Sequence, residues 1–214
     1  MKPLSGEKLE KELARLEAMR EYEDTYDACA YICGIDEAGS GPLAGPVVAA
    51  AAVLPKDCQI FYLNDSKKLS EKKRDLLFDE IKEKAVAYGI GIVSPQVIDE
   101  INILQATYEA MRQAISQLNV IPEILLNDAV TIPGVDIMQV PIVKGDAKSV
   151  SIAAASILAK VTRDRMMMEY DQIYPEYGFA KHKGYGTAAH IAALKEYGPC
   201  PIHRRTFIKK FVTV

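Results

Sequence analysis

Apolar side chains recur at helical or strand spacing along most of the chain. Between Leu9 and Tyr22 they return every three or four residues among Glu, Lys and Arg, which predicts an N-terminal helix over about residues 5–25. Two β-branched or apolar runs, residues 31–36 and 46–54, flank a glycine-rich turn. This pattern predicts a β-hairpin after the helix.

Helices and strands then alternate. Ser70 is suited to cap a helix, and residues 86–93 follow as a strand. Ser94 and Pro95 form a favourable start for a second helix. The apolar stripe of that helix, from Val97 to Leu118, predicts a face that lies entirely in the core.

The second half of the chain continues this alternation. Residues 124–127 and 137–143 are short apolar runs, which we expect to be buried strands of the same sheet. A helix over residues 149–170 opens with small side chains that permit close packing, and residues 187–197 predict a last helix that ends at a glycine. The order of elements predicts an α/β fold with a mixed β-sheet flanked by helices.

Composition limits the class of protein. The 214 residues are 49% hydrophobic and 26% charged, which favours one compact globular unit. No apolar run reaches the length of a membrane span, the N-terminus does not resemble a signal peptide, and the four scattered cysteines fit reduced thiols. We therefore expect a cytoplasmic protein with no membrane contact.

The formal charge of −3 argues against binding nucleic acid through bulk positive charge. Basic residues nevertheless cluster at residues 67–68, 72–74, 181–183 and 203–205. Each cluster alone is typical of a solvated surface. Their value for nucleic-acid binding depends on whether they lie near a reactive site.

Acidic residues follow three predicted core strands. Asp36 and Glu37 precede the glycine-rich turn, Asp128 ends the strand at 124–127, and Asp146 lies in the loop before the small-residue helix. Each alone is typical of a turn or of a helix start. Together they predict a cluster of carboxylates at one edge of the sheet.

Four carboxylates repel one another unless they bind cations. Oxygen ligands suit Mg²⁺ or Mn²⁺, and two such ions can activate water and stabilise a leaving oxygen in phosphodiester hydrolysis. A small-molecule phosphatase would use the same metals. That alternative stays open here, although it explains the basic clusters less well.

Five blocks of residues, in order along the chain, help to choose between a nuclease and a small-molecule phosphatase. They resemble the blocks of bacterial ribonuclease HII, a type 2 ribonuclease H, and the match runs from about residue 31 to 208. The blocks are residues 34–39 with 41–46 (GIDEAG, GPLAGP), 65–70 (DSKKLS), 144–146 (KGD), 153–160 (AAASILAK) and 182–187 (HKGYGT).

The resemblance implies a ribonuclease H-like catalytic domain over residues 29–214, after an N-terminal helical extension over residues 1–28. It implies that two Mg²⁺ or Mn²⁺ ions act in the complex with substrate. The activity implied is hydrolysis of the RNA strand of RNA/DNA hybrids and cutting 5′ of ribonucleotides embedded in duplex DNA, leaving 5′-phosphate and 3′-hydroxyl ends. A monomer is expected. The implied catalytic and metal-binding residues are Asp36, Glu37, Asp128 and Asp146.

The resemblance also implies a substrate-binding surface. In the family a Gly-Arg-Gly turn and a tyrosine recognise the junction between RNA and DNA. This chain has Gly39-Ser40-Gly41 at the turn, so the family arginine is replaced by Ser40, and Tyr185 matches the tyrosine. The backbone of the turn can still meet a ribose 2′-hydroxyl, whereas a phosphate contact of the arginine is missing.

Lys67, Lys68 and Lys183 are further candidates for phosphate contact, and Arg205 is a weaker one. The N-terminal helix is expected either to help hold substrate or to pack as an appendage. Two alternatives remain for the activity. One is a ribonuclease HIII-like enzyme that needs no junction, and the other is a weakly active or inactive hybrid-binding variant that results from Ser40.

Overall fold

A five-stranded sheet forms the centre of the protein, in a computed structural model that describes residues 4–213. Eight α-helices surround it within these residues. The strands are β1 (Ile32–Ala38), β2 (Val47–Val53), β3 (Ala87–Val93), β4 (Ile124–Asp128) and β5 (Met138–Ile142). The helices are α1 (Glu7–Ala18), α2 (Glu21–Thr25), α3 (Glu71–Lys84), α4 (Pro95–Ser116), α5 (Val150–Ile173), α6 (Phe179–His182), α7 (Ala188–Tyr197) and α8 (Arg205–Ile208).

The strand order is β3-β2-β1-β4-β5, and the pairing changes direction at β1. Strands β1, β2 and β3 pair antiparallel, whereas β4 runs parallel to both β1 and β5. This arrangement confirms the predicted hairpin and the mixed sheet. It also brings the carboxyl ends of β1, β4 and β5 to the same edge, where ligands of α/β folds commonly bind.

Two long helices cover opposite faces of the sheet at very close range. A methyl group added at Gly34 would lie 2.0 Å from the Ser151 carbonyl carbon of α5, and one at Gly91 would lie 1.9 Å from the Ala110 carbonyl oxygen of α4. Only glycine fits at these two strand positions. The small side chains at the start of α5 are fully buried, as predicted.

Hydroxyl side chains cap four helices. Ser70, Ser94 and Ser149 each accept a backbone N–H from the first turn of the helix that follows. Thr187 does the same for α7 through the His190 N–H. The predicted helix starts are therefore confirmed, because capping is a local interaction that sequence spacing reveals.

The prediction of a continuous buried stripe on α4 was wrong. Ile101 is 39% exposed and Leu104 is 51% exposed, because Asn102 has φ 67° and interrupts the helix between them. After this kink the predicted stripe returns to the core, where Met111 is fully buried and Tyr108, Ile115 and Leu118 pack against it. Ala106, Ala110 and Ala114 form the contact of the helix with the sheet, where their small size permits the close approach of Gly91.

The prediction that residues 137–143 form a buried strand was also wrong. Strand β5 is present, but it is an edge strand, and Met138 is 57% exposed. Pro141 lies within it and has no N–H to donate, which is tolerated at an edge and not in the middle of a sheet.

The predicted N-terminal helix is divided into α1 and α2. Leu16 and Met19 pack into the same apolar cluster as α5 and the sheet. Glu23 accepts hydrogen bonds from the Ser149 hydroxyl at 2.6 Å and from the Ser151 N–H at 3.0 Å. The segment thus contacts the start of α5, while the boundary proposed at residue 28 stays a prediction.

All four cysteines are free thiols, in agreement with the sequence. Among the helices of residues 4–213, none combines the length and apolar character needed to cross a membrane.

Candidate active site

Asp36 and Asp128 lie next to each other at the carboxyl ends of two neighbouring strands. Ile35 of β1 pairs with Asn127 of the parallel strand β4, so Asp36 and Asp128 follow one residue later on neighbouring strands. Asp36 is 5% exposed, and its Oδ1 accepts the Glu37 N–H at 2.7 Å. The parallel register is therefore what brings these carboxylates together.

Asp146 reaches the same edge from the loop before α5. The Gly145 N–H donates to Asp128 Oδ1 at 2.7 Å, which ties this loop to the end of β4. Lys144 and Ala129 both have positive φ, at 57° and 59°. Left-handed backbone is unfavourable for these residue types, and such strain is concentrated at functional sites.

The four carboxylates are close enough to perturb one another. Burial raises the pKa of Asp36 well above its usual value, and the charges of Glu37 and Asp128 raise it further. Burial and the Asp128 charge likewise raise the pKa of Glu37. Burial and the charges of nearby carboxylates raise the pKa of Asp146 to about 6. The structure thus brings together all four acidic residues predicted from the sequence.

Asp65 is a fifth acidic residue at this edge, and sequence analysis did not select it. After burial, its charge contributes most to the raised pKa of Asp146. Its Oδ1 accepts the Lys67 N–H at 2.9 Å. Asp65 is the first residue of the block DSKKLS, so that block could have identified it from the sequence.

Lys67 brings a positive charge to the same edge. Although burial acts to lower the pKa of Lys67, the surrounding carboxylates, Asp36 foremost, raise it overall. Its neighbour Lys68 is exposed. The loop that carries both lysines is held from behind by Arg74, which donates to the carbonyl oxygens of Ser66 and Leu69.

Two buried arginines hold the glycine-rich turn, and sequence analysis missed both. Arg204 is fully buried and donates to the carbonyl oxygens of Ser40, at 3.1 Å, and Gly39, at 2.5 Å. Arg163 packs against Gly39, where an added methyl group would lie 2.1 Å from its Nε atom. The basic run 203–205 is therefore not a solvated surface, because His203 and Arg204 are buried.

Tyr185 lies beside this turn. The residue is 45% exposed, and a methyl group added at Gly41 would lie 3.9 Å from the Tyr185 Cε1 atom. Ser40 and Gly41 are exposed, whereas Gly39 is buried. The Lys183 ammonium donates to the Ala180 carbonyl oxygen in its own loop. The turn and Tyr185 thus form one surface, with Lys183 hydrogen-bonded behind it.

The donor set fits a hard divalent cation. The clustered oxygen donors are carboxylates. The pKa values of Asp36, Glu37 and Asp146 are raised, so a bound cation would stabilise their ionised forms against burial and mutual repulsion. Within residues 4–213, no three His, Cys, Asp or Glu side chains lie in an arrangement that could hold a metal ion. The fit to a divalent cation therefore rests on the oxygen chemistry of these carboxylate side chains.

Known proteins are similar to this chain in both sequence and fold. The family model described as Ribonuclease HII matches residues 33–210. Ribonuclease HII of Lachnoclostridium phytofermentans is 67% identical over 97% of this chain and 82% of the relative.

Solved structures agree. The crystal structure of ribonuclease H2 from Pyrococcus horikoshii OT3 superposes with a TM-score of 0.69 at 31% identity, covering 85% of this chain and 96% of that one. Bst-RNase HIII in complex with Mn²⁺ shares only the fold, with a TM-score of 0.58 at 16% identity over 78% of this chain and 63% of that one. The predicted ribonuclease H-like fold is confirmed. The chain belongs to the ribonuclease HII family and is a ribonuclease H-type hydrolase that acts on RNA/DNA hybrids.

Proposed function

We propose that this enzyme cuts the RNA strand of RNA/DNA hybrids and also cuts 5′ of ribonucleotides embedded in duplex DNA. The products would carry 5′-phosphate and 3′-hydroxyl ends. The observation that carries this proposal is the meeting of Asp36, Glu37, Asp128 and Asp146 at one edge of the sheet, where each is close enough to perturb another member of the group. We further propose that the enzyme acts as a monomer.

These four carboxylates would hold two Mg²⁺ or Mn²⁺ ions. When bound, such ions activate a water molecule and stabilise the leaving oxygen of a phosphodiester. Asp128 is oriented for this role by the Gly145 N–H on its Oδ1 atom, and Asp36 by the Glu37 N–H. Both aspartates are therefore held in position by backbone before any ion arrives.

Lys67 is the basic residue best suited to meet a substrate phosphate. Its positive charge is retained because nearby carboxylates raise its pKa, and it borders the carboxylate edge. Lys68 is exposed on the same loop. Lys183 is a weaker candidate because its ammonium already has a partner in Ala180.

The turn at residues 39–41 and Tyr185 would recognise the junction. Ser40 and Gly41 are exposed residues, so backbone groups of the turn can meet the ribose 2′-hydroxyl, which distinguishes RNA from DNA. The half-exposed Tyr185 ring next to Gly41 can pack on the following sugar. Ser40 supplies no guanidinium for a phosphate, so we expect weaker junction binding than with arginine.

Duplexes containing one ribonucleotide, four ribonucleotides or none test this proposal with Mg²⁺ or Mn²⁺. We expect cutting of the first two, on the 5′ side of a ribonucleotide, with 5′-phosphate ends. Cutting of the four-ribonucleotide duplex alone would instead support an enzyme of the ribonuclease HIII type. Binding without any cutting would identify an inactive hybrid-binding variant.

A further inference from the structure

The three histidines of the chain form one cluster behind Tyr185. The ring centroids of His182 and His190 are 4.5 Å apart and nearly parallel, and those of His190 and His203 are 5.2 Å apart. His190 and His203 are 0% and 2% exposed. None of the three belongs to the carboxylate edge, so the proposed chemistry leaves this cluster without a role.

Hydrogen-bond geometry determines which nitrogen of His203 carries a proton. The Cys200 backbone N–H donates to His203 Nδ1 at 3.0 Å, and a backbone N–H can only donate. His203 Nδ1 is therefore unprotonated, and Nε2 must carry the proton of the neutral ring. His203 Nε2 lies 3.0 Å from His190 Nε2, so His203 is the donor in this pair.

The proton of the neutral His190 ring is likewise fixed by its hydrogen bonds. Since its Nε2 accepts from His203, its Nδ1 carries the proton. His190 Nδ1 lies 2.9 Å from the Tyr185 carbonyl oxygen and donates to it. A directed chain thus runs from the Cys200 N–H through two neutral imidazoles to the backbone of Tyr185, and one set of protons satisfies every atom in it.

The loop at the end of this chain needs to be held. Lys183 has φ 52° and Gly184 has φ 85°, so two successive residues before Tyr185 are left-handed. Such a backbone persists only where its surroundings impose it. Arg163 donates to the Lys183 carbonyl oxygen at 2.9 Å, and the Leu43 N–H donates to that of Gly184 at 2.8 Å. The next carbonyl oxygen, that of Tyr185, accepts the Thr187 N–H at 2.8 Å and the buried side-chain N–H of His190.

We propose that His190 is a positioning residue that sets the orientation of Tyr185 and thereby contributes to recognition of the RNA–DNA junction. This inference rests on the proposed function, because it assumes that Tyr185 meets the substrate. The His190 ring is stacked on His182 and hydrogen-bonded to His203, so its Nδ1–H points in one direction. The backbone of Tyr185 is then already ordered, so substrate binding loses no conformational entropy in fixing it.

Three variants test the proposal. His190→Phe keeps an aromatic ring and removes the donor, whereas His190→Asn keeps an amide N–H near the position of Nδ1. We expect His190→Phe to lower kcat/KM on a single-ribonucleotide duplex about fivefold more than on an RNA/DNA hybrid, and His190→Asn to restore much of the difference. In a Tyr185→Ala background, His190→Phe should cause no further loss of junction preference.

Equal losses on the two substrates, or an undiminished loss in the Tyr185→Ala background, would show that His190 is merely structural. If the wild-type enzyme shows no preference for junction substrates, or if Tyr185→Ala leaves that preference unchanged, the proposed function is refuted instead. Should His190→Phe not fold, ¹⁵N NMR of the wild-type imidazoles decides. We expect His190 as the Nδ1–H tautomer and His203 as the Nε2–H tautomer, and the opposite assignment would overturn the proposal.

Discussion

The guanidinium of Arg204 donates to the carbonyl oxygen of Ser40 at 3.1 Å, although the two residues are 164 positions apart in the chain. A second bond from Arg204 holds the Gly39 carbonyl oxygen at 2.5 Å. The turn is therefore stabilised through its backbone, and its shape does not depend on the side chain at position 40. Ser40 itself is exposed, which leaves that position free to vary.

We predict that Ser40→Arg raises kcat/KM on a single-ribonucleotide duplex by about ten- to a hundredfold. A charge-assisted bond to a phosphate is worth about 1.5–3 kcal/mol, whereas serine offers a neutral hydroxyl. Steady-state kinetics at low and high salt check this, because a new phosphate contact should lose its benefit as salt rises. Ser40→Gln is the matched control for side-chain length without charge. An unchanged kcat/KM in a folded Ser40→Arg variant would contradict contact between the turn and the substrate.

We predict that Tyr185→Ala impairs junction cutting severely and Tyr185→Phe only moderately. Stacking of the ring is worth about 1–3 kcal/mol, while the hydroxyl contributes one hydrogen bond. The ring is half-exposed beside Gly41, so its removal should not disturb the core. Comparison of kcat/KM for both variants on a single-ribonucleotide duplex checks this. Equal losses would mean that the hydroxyl carries the effect.

Much of this fold could be predicted from the sequence because local interactions determine it. Ser70, Ser94 and Thr187 cap helices through contacts within four residues, and the strands follow from apolar periodicity. The carboxylate edge could be predicted because its acidic residues each follow a core element. The kink was not predicted, because Asn102 is of a residue type that permits a positive φ without requiring one.

The residues that support the site could not be predicted from the sequence. Arg204 and Arg163 donate to backbone carbonyl oxygens far away in the chain, which leaves no pattern of spacing. The run His203-Arg204-Arg205 is indistinguishable in sequence from an exposed basic patch. Burial alone separates the two cases.

We predict that Asp36→Asn raises the thermal midpoint of the metal-free protein by a few degrees. Burial and the nearby carboxylates raise the pKa of Asp36 in the folded state, so ionised Asp36 destabilises the fold increasingly as the pH rises above the unfolded value. Asparagine removes that charge with little change in shape. Thermal unfolding at pH 7.5 in a chelator checks this, with the exposed Asp79→Asn as control. A large fall in the midpoint would indicate that Asp36 is needed to hold the fold together.

We predict that the buried histidines make the fold sensitive to acid. Burial, with contributions from His190, Arg205 and His182, lowers the pKa of His203 to about 4. The unfolded chain therefore binds more protons between about pH 6.5 and 4, so this contribution to stability is complete above that window and is lost as the pH falls through it. The loss is at most about 3 kcal/mol.

Chemical denaturation of the wild-type protein and of His203→Gln, across pH 4.5 to 7.5, measures this contribution. The free energy of unfolding should fall more steeply with acid in the wild type, because glutamine has no proton to gain. Parallel curves for the two proteins would contradict a buried neutral His203.

We propose that Asp36, Glu37, Asp128 and Asp146 act together in cutting at ribonucleotides. Cleavage of a single-ribonucleotide duplex with Mn²⁺, measured for Asp36→Asn and Asp146→Asn beside Asp79→Asn, tests it most directly. We expect the first two variants to lose nearly all activity while remaining folded, and Asp79→Asn to match the wild type, since each lost ligand removes charge that holds the ions. Wild-type turnover in folded Asp36→Asn or Asp146→Asn would contradict the claim.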